Sequence, residues 1–265
     1  MIYEKIYLDE NNENFYLEAY IADPIGDFVR NAILVIPGGG YGQVCADREG
    51  EPIGMAFMPY GYNAFVLHYS TNGPKFPTQL IEASAAIAHI RDNAEKYNIN
   101  PDKIFAVGFS AGGHLAASLG TMWHKKEITE ALDIPYGKNK PNGMMLIYPV
   151  ISAEYHKGSF DNLLQDEKDN EELRAACSIE NNIDENSAPA FIMCTSNDQV
   201  VDVRNSLAIA NKLAEKQIEF ELHIYPDGPH GVALGNEITK CGVDKWCNPA
   251  IAKWVENAAY WAENL

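Results

Sequence analysis

The stretch that decides the fold is "IFAVGFSAGGHLAASLG", which spans Ile104–Gly120. An apolar run of strand length ends just before Ser110, and an alanine-rich run that favours a helix follows it directly. Gly108 and Gly112 stand two residues before and two residues after this serine. The junction could be a flexible turn, a phosphate-binding loop or a sharp turn that exposes one serine, and the surrounding sequence decides among them.

Predicted strands and helices alternate along the rest of the chain. Two alternating stretches, 3–8 and 15–22, predict an N-terminal hairpin. Further strands are predicted over 31–36, 63–70, 103–109, 143–150, 190–196 and 219–226, and helices over 54–62, 76–99, 111–122, 206–218 and 249–265. Strands that alternate with helices in this way form a mainly parallel sheet that is covered on both faces, so we expect an α/β fold.

The domain prediction is a single unit over residues 1–265. Residues 152–188 interrupt the alternation, because they are long, rich in acidic side chains ("QDEKDNEEL") and follow a predicted strand end. We interpret this segment as a small cap-like insertion within the domain. The charged run itself is typical of a helix face exposed to solvent.

The amino-acid composition narrows the classes of molecule that this chain is expected to bind. Lys and Arg number 20 against 37 Asp and Glu, which gives a formal net charge of −17. Such a field repels nucleic acid and anionic membranes, so we expect a neutral or cationic small-molecule substrate. The sequence shows no apolar stretch of bilayer-spanning length and no secretion signal at its N-terminus, which predicts a cytoplasmic protein. The sequence leaves open whether the chain forms a homo-oligomer.

Cysteine usage argues against disulfides and metals. The five cysteines are scattered and odd in number, as in a chain whose thiols stay reduced. Cys241 and Cys247 lie close in sequence, but no second cysteine pair or histidine cluster completes a zinc-binding pattern. We therefore expect no metal and no cofactor.

The turn at Ser110 is best interpreted as a nucleophile elbow. A phosphate-binding loop would need a Gly-Lys-Ser/Thr sequence or dinucleotide-binding glycine spacing, and both are missing. In an elbow the serine adopts strained backbone angles between a strand and a helix, and Gly108 and Gly112 remove the Cβ atoms that would clash there. The N–H of Ala111, at the start of the helix, is then a donor for a developing oxyanion.

A serine nucleophile needs a base, and histidine is the usual one. The sequence has seven histidines, of which His230 is the only one in a Gly/Pro-rich loop ("YPDGPHGVAL") directly after the last predicted strand. Active-site groups of open α/β sheets collect at the carboxyl ends of strands. We therefore predict that His230 is the general base.

The acid that orients this base should follow the preceding strand, in "AFIMCTSNDQVVDV". Asp198 is the first carboxylate beyond the strand and is our prediction. Asp202, four residues on, is expected to cap the following helix. Asp227 shares the loop of His230 and is too near in sequence to approach the imidazole from behind.

The glycine run "PGGGY" (37–41) follows an early strand, and a second oxyanion donor is expected there because backbone can approach a substrate oxygen only where side chains are small. The alternative is a simple glycine-rich turn. Two bulky residues flank the motifs, Tyr41 and Phe109, and we predict that they line the substrate site.

The order of the motifs resembles a family of bacterial α/β-hydrolase esterases known as acetylesterases, acetylxylan-esterase-like proteins or "sugar hydrolases", with the hormone-sensitive-lipase group more distant. The resemblance covers about residues 30–240. It rests on the following segments: "PGGGY", "DREGEPIGMAF", "GYNAFVLHYS", "GFSAGGHLAASLG", "YPVIS", "GSFDNLL", "TSNDQVVDVRNSLAIANKL" and "GPHGVALG".

The resemblance implies an α/β-hydrolase fold with Ser110 as nucleophile, Asp198 as acid and His230 as base. It implies an oxyanion hole formed by Gly39, Gly40 and Ala111. The chain departs from the wider lipase group at Pro37, where that group has a histidine before the glycines, so the sequence does not settle which glycine N–H points inward.

These observations predict a serine esterase that acts on a small-molecule ester with a short acyl group, such as an acetylated sugar. The same side chains could instead cleave amides, as in an exopeptidase. A protein of another class, a hydrolase fold that binds ligands without catalysis, is a further alternative, because fold does not fix function.

Overall fold

The structure, a computed structural model of residues 1–265, contains one sheet of eight strands. The strands are β1 (Ile2–Tyr7), β2 (Tyr16–Ile21), β3 (Arg30–Ile36), β4 (Tyr62–His68), β5 (Ile99–Phe109), β6 (Gly143–Ile147), β7 (Ala190–Thr195) and β8 (Phe220–Tyr225). Their order across the sheet is β1-β2-β4-β3-β5-β6-β7-β8. Strands β1 and β2 form the predicted hairpin, β2 runs antiparallel to β4, and every other pair is parallel.

Helices cover both faces of the sheet. The helices are α1 (Ala46–Glu49), α2 (Glu51–Phe57), α3 (Thr78–Asp92), α4 (Ala111–Met122), α5 (Lys126–Leu132), α6 (Lys157–Leu164), α7 (Glu171–Cys177), α8 (Arg204–Glu215) and α9 (Trp254–Glu263). Helices α3, α4 and α8 pack on one face, and α2 and α9 pack on the other. The mainly parallel, doubly covered sheet predicted from the sequence is confirmed.

The core explains why the central strands are continuously apolar. Successive residues of one strand face opposite sides, so Leu34 joins the cluster under α3 and α4 while Val35 joins the cluster under α2 and α9. Ala106 and Val107 of β5 divide in the same way. Because helices bury both faces, each position of such a strand must be apolar, as the sequence pattern predicts.

The observed helices differ from the predicted ones at several places. The helix predicted over 54–62 ends at Phe57 and continues as one 3-10 turn, Met58–Tyr60, because Gly61 has a φ of +86° that closes the turn before β4. Helix α3 ends at Asp92, seven residues before the predicted end, and β5 then begins at Ile99. The predicted elements include neither α1 nor α5, nor the separate helices α6 and α7 within residues 152–188.

The segment 152–188 carries α6 and α7 on the face of the sheet that α4 covers. Apolar side chains from this segment, among them Phe160, Leu163 and Ile179, join the same buried cluster as α4. Its acidic run is largely exposed. None of the helices in the structure combines the length and the apolar character needed to cross a membrane.

Hydrogen bonds of one buried histidine connect the glycine run to helices α4 and α7. His114 of α4 is 1% exposed, and its Nε2 lies 2.9 Å from the carbonyl oxygen of Cys177 at the end of α7. Nε2 must donate to that carbonyl, so Nδ1 accepts the hydroxyl proton of Tyr41, 2.7 Å away. Burial lowers the pKa of His114 to about 4, which keeps the imidazole neutral in this arrangement.

This burial predicts a pH-dependent contribution to stability. The unfolded imidazole takes up a proton below pH 6.5, whereas folded His114 does so only near pH 4, so acidification favours the unfolded chain across that window. Between pH 7 and pH 5 the free energy of unfolding of the wild type should fall by about 2 kcal/mol more than that of a His114→Gln variant. Denaturant titrations at the two pH values measure this difference, and parallel losses in both proteins would contradict it.

Candidate active site

The predicted catalytic side chains meet at the carboxyl edge of the sheet. Ser110 follows β5, Asp198 follows β7 and His230 follows β8. Nε2 of His230 lies 2.9 Å from Oγ of Ser110, and its Nδ1 lies 2.7 Å from Oδ2 of Asp198. A carboxylate can only accept, so Nδ1–H donates to Asp198 and Nε2 is free to accept the serine hydroxyl. The arrangement can remove a proton from Ser110.

The backbone at Ser110 has the geometry of a strained strand-to-helix turn. Its φ is +53° and its ψ is −118°, a conformation that L-residues seldom adopt. A Cβ at Gly108 would overlap the carbonyl oxygen of Gly112, and a Cβ at Gly112 would overlap those of Ile36 and Pro37. The two flanking glycines are therefore required by close backbone packing.

Asp198 is held in one orientation by its own loop. Its Oδ1 accepts the N–H groups of Val200, at 2.8 Å, and Val201, at 3.0 Å, and its side chain is 2% exposed. Oδ2 is left for His230. The loop thus fixes the orientation of the carboxylate that accepts from His230.

The two other candidate carboxylates lie elsewhere. Asp202 is 39% exposed, accepts the backbone N–H of Arg204 and pairs with its guanidinium. Asp202 precedes the N-cap residue, Val203, and its side chain accepts the first N–H of α8, as expected of a capping residue. Asp227 accepts a hydrogen bond from Asn197. Neither carboxylate bonds to His230.

The glycine run 37–41, which we call the glycine loop, lies directly beside Ser110. A Cβ at Gly38 would be 3.1 Å from Cβ of Ser110. The N–H of Gly38 donates to Glu49 at 2.8 Å, whereas those of Gly39 and Gly40 have no acceptor within the protein. Ala111 opens α4, where N–H groups lack an intrahelical acceptor. These donors can bind a negatively charged oxygen at the serine.

The residue that departs from the lipase pattern, Pro37, also has a defined contact. Its carbonyl oxygen accepts the hydroxyl of Tyr69 at 2.9 Å. Gly39 and Gly40 have φ values of +127° and +65°, so the loop adopts backbone angles that side chains disfavour. The loop conformation therefore does not depend on a histidine at position 37.

Helix α6 and its N-cap, His156, place polar groups of the stretch "HKGSFDNLL" against the active-site loops. Nδ1 of His156 lies 3.2 Å from the carbonyl oxygen of Val200, and its Nε2 lies 3.0 Å from Oγ of Ser159. Asn162 donates to the carbonyl oxygen of Gly40 at 2.8 Å. The helix thus connects the loop of Asp198 to the glycine loop.

The prediction that Tyr41 and Phe109 line the substrate site is wrong. Tyr41 is 2% exposed, since its ring is packed among core side chains and its hydroxyl bonds to His114. Phe109 is fully buried on the opposite face of the sheet against Tyr148 and Trp254. Side-chain alternation along β5 directs Phe109 into the core, although the next residue, Ser110, is only half-buried at the turn.

Comparison with known proteins identifies the family to which this chain belongs. The family model BD-FAE matches residues 20–213. Endo-1,4-beta-xylanase B of Butyrivibrio fibrisolvens is 41% identical over 219 residues, which are 80% of this chain and 34% of that protein. Acetylxylan esterase of Xylanibacter ruminicola is 32% identical over 211 residues, 77% of this chain and 41% of that protein. The chain thus spans less than half the length of these two relatives.

Solved structures match over nearly the whole chain. An acetyl ester-xyloside bifunctional hydrolase from Caldicellulosiruptor lactoaceticus is 33% identical with a TM-score of 0.82, covering 98% of this chain and 96% of that chain. A carboxylesterase from Lactobacillus plantarum WCFS1 is 26% identical with a TM-score of 0.88, covering 100% and 98%. The α/β-hydrolase fold predicted from the motifs is confirmed.

Proposed function

This chain belongs to the BD-FAE family of α/β hydrolases, and from that premise we propose that it is a serine esterase that hydrolyses short acyl esters of small alcohols or sugars. The observation that carries the proposal is the hydrogen-bonded chain Ser110–His230–Asp198 beside free backbone donors. Three of the similar proteins have names that state an ester-hydrolysing activity: the acetylxylan esterase, the acetyl ester-xyloside bifunctional hydrolase and the carboxylesterase.

The three side chains divide the chemistry in the usual way for a serine hydrolase. His230 takes the proton of Ser110 as the hydroxyl oxygen attacks the ester carbonyl, and Asp198 stabilises the resulting imidazolium and holds its orientation. The imidazolium then gives its proton to the departing alcohol, which leaves an acyl-enzyme. Water attacks this intermediate, with His230 again as base, and releases the acid.

The backbone donors lower the energy of the tetrahedral intermediate. Gly39, Gly40 and Ala111 would donate N–H groups to the carbonyl oxygen as it becomes negative. Such donors are worth several kcal/mol when they are already oriented, because no reorganisation is needed during the reaction. The engagement of the Gly38 N–H with Glu49 leaves Gly39 and Gly40 as the donors of the glycine loop.

Helix α6 supports the preference for a short acyl group and a polar alcohol. Asn162 of this helix is bonded to the glycine loop, and Ser159, whose hydroxyl lies 3.0 Å from Nε2 of His156, lies near Gly40. We propose that the segment 152–188 acts as a cap that restricts acyl length and offers hydrogen bonds to sugar hydroxyls. The acetyl ester activity in the names of two relatives is consistent with this proposal.

The experiment that tests the triad compares three variants in ester hydrolysis. Ser110→Ala should lower kcat by about five to six orders of magnitude, as loss of a triad serine does. Asp198→Asn should cost about four orders, because the imidazole then adopts the wrong tautomer. Asp202→Asn is the matched control and should keep near-normal turnover and nearly unchanged stability, because asparagine caps a helix about as well as aspartate and the ion pair with Arg204 is exposed. Near-normal turnover of the Ser110 variant would reject the proposal, and reversed effects of the two aspartates would assign the acid to Asp202.

Acyl preference tests the proposed role of α6. The kcat/KM for p-nitrophenyl acetate should exceed that for the octanoate by at least about tenfold. An open apolar groove would give the opposite preference, because each methylene that it buries contributes about 0.8 kcal/mol.

Asn162→Ala, which removes the hydrogen bond between α6 and Gly40, should lower the ratio of acetate to octanoate activity. Asn181→Ala removes a bond to Ala175 in the same segment and should leave the ratio unchanged. A wild-type preference for octanoate would reject the short-acyl assignment.

A further inference from the structure

A buried carboxylate outside the predicted triad contacts the active-site loops. Glu49 lies at the end of α1, and its side chain is 2% exposed. One carboxylate oxygen, Oε2, accepts the N–H of Gly38 at 2.8 Å. The other, Oε1, accepts the hydroxyl of Tyr148 at 3.0 Å. The carboxylate therefore joins the glycine loop to the residue that follows β6.

Tyr148 extends this connection to the histidine loop. Its hydroxyl oxygen accepts the N–H of Ala233 at 3.0 Å, and its ring lies 5.0 Å from the imidazole of His230 at 65°. Burial, followed by the proximity of Glu49, raises the pKa of Tyr148 well above its ordinary value, so the hydroxyl keeps the proton that it donates. We refer to Gly38, Glu49, Tyr148 and Ala233 as the Glu49 network.

Keeping a carboxylate in this buried position costs free energy of desolvation. Burial raises the pKa of Glu49, and the neighbouring Arg48 guanidinium, the Gly38 N–H and the Tyr148 hydroxyl oppose that rise. Nε of Arg48 lies 3.6 Å from Oε1. Apolar packing often replaces buried ion pairs without loss of stability. Apolar side chains, however, cannot accept hydrogen bonds from donors on two different loops, as this carboxylate does.

We propose that Glu49 is a positioning residue that fixes the spacing between the oxyanion donors and the general base around Ser110. Through Gly38 it orients the backbone of the glycine loop, and through Tyr148 it holds the segment that follows His230. The inference rests on the proposed esterase function, since it concerns the alignment of that site.

This role has a kinetic consequence. Misalignment of donors and base weakens the binding of the tetrahedral transition state, while the ground-state ester contacts the site through other groups. Loss of the network should therefore lower kcat and leave KM nearly unchanged. A side chain that only stabilises the fold would lower the melting temperature without this selective loss.

The test uses two variants and a matched control. Glu49→Gln keeps the shape but has one acceptor oxygen, so it cannot accept from both Gly38 and Tyr148. Tyr148→Phe removes the shared hydroxyl and carries the same test if the first variant does not fold. Glu82→Gln is the control, because Glu82 is also a buried carboxylate, 5% exposed, but bonds to Ser70 and Asn12 instead.

Each network variant should lower kcat for p-nitrophenyl acetate by about tenfold to a hundredfold, with KM changed by less than about threefold. Affinity for a trifluoromethyl ketone, which adds to a catalytic serine as a tetrahedral adduct, should fall by the same factor as kcat/KM. Glu82→Gln should lower the melting temperature and keep kcat within about threefold of the wild type.

A double variant tests whether the residues act together. If they form one network, Glu49→Gln combined with Tyr148→Phe should lose less activity than the product of the two single losses. Full kcat in a folded Glu49→Gln protein, a loss confined to KM, or multiplicative losses in the double variant would each overturn the inference. If Ser110→Ala retained wild-type turnover, the proposed function would fail. If Ser110→Ala loses turnover while the Glu49 variant keeps normal kcat, only the inference about Glu49 is rejected.

Discussion

The backbone contact between Gly112 and the strand end at Ile36 and Pro37 is the constraint on which the site depends. No Cβ fits at Gly112, so the first turn of α4 lies directly against the chain that leaves β3. That approach brings the N–H of Ala111 near those of the glycine loop and leaves Ser110 at the turn between them. The strained backbone at Ser110 is tolerated because residues 104–109 of β5 on one side and all of α4 on the other are buried.

Around this turn, buried polar side chains fix loops that have no regular hydrogen bonding of their own. Asp198 bonds to two N–H groups of its own loop, His114 joins Tyr41 to the end of α7, and Glu49 joins Gly38 to Tyr148. Each of these groups would be costly to bury without partners. Each therefore favours a single arrangement of its loop, which is what a preorganised site needs.

Local sequence was sufficient to predict the eight strands, the longer helices outside residues 152–188, and which residues lie at the strand ends around Ser110. The Gly-x-Ser-x-Gly turn, the first carboxylate after β7 and the histidine after β8 come together in space as the order of motifs implied, and their catalytic roles stay a proposal. The side-chain directions of Tyr41 and Phe109 could not be predicted in this way, because they depend on core packing by distant segments. Glu49 was missed for a similar reason: its partners are 11 and 99 residues away in sequence.

The central claim is that Ser110 is an activated nucleophile, and covalent labelling tests it most directly. The native chain would be treated with a fluorophosphonate, which reacts with activated serines, and its peptides analysed by mass spectrometry while residual esterase activity is followed. If Ser110 is the nucleophile, a single adduct should form on Ser110, and its extent should match the loss of activity. Unlabelled Ser110 in a fully inhibited protein, or an adduct on another residue that accounts for the inhibition, would contradict it.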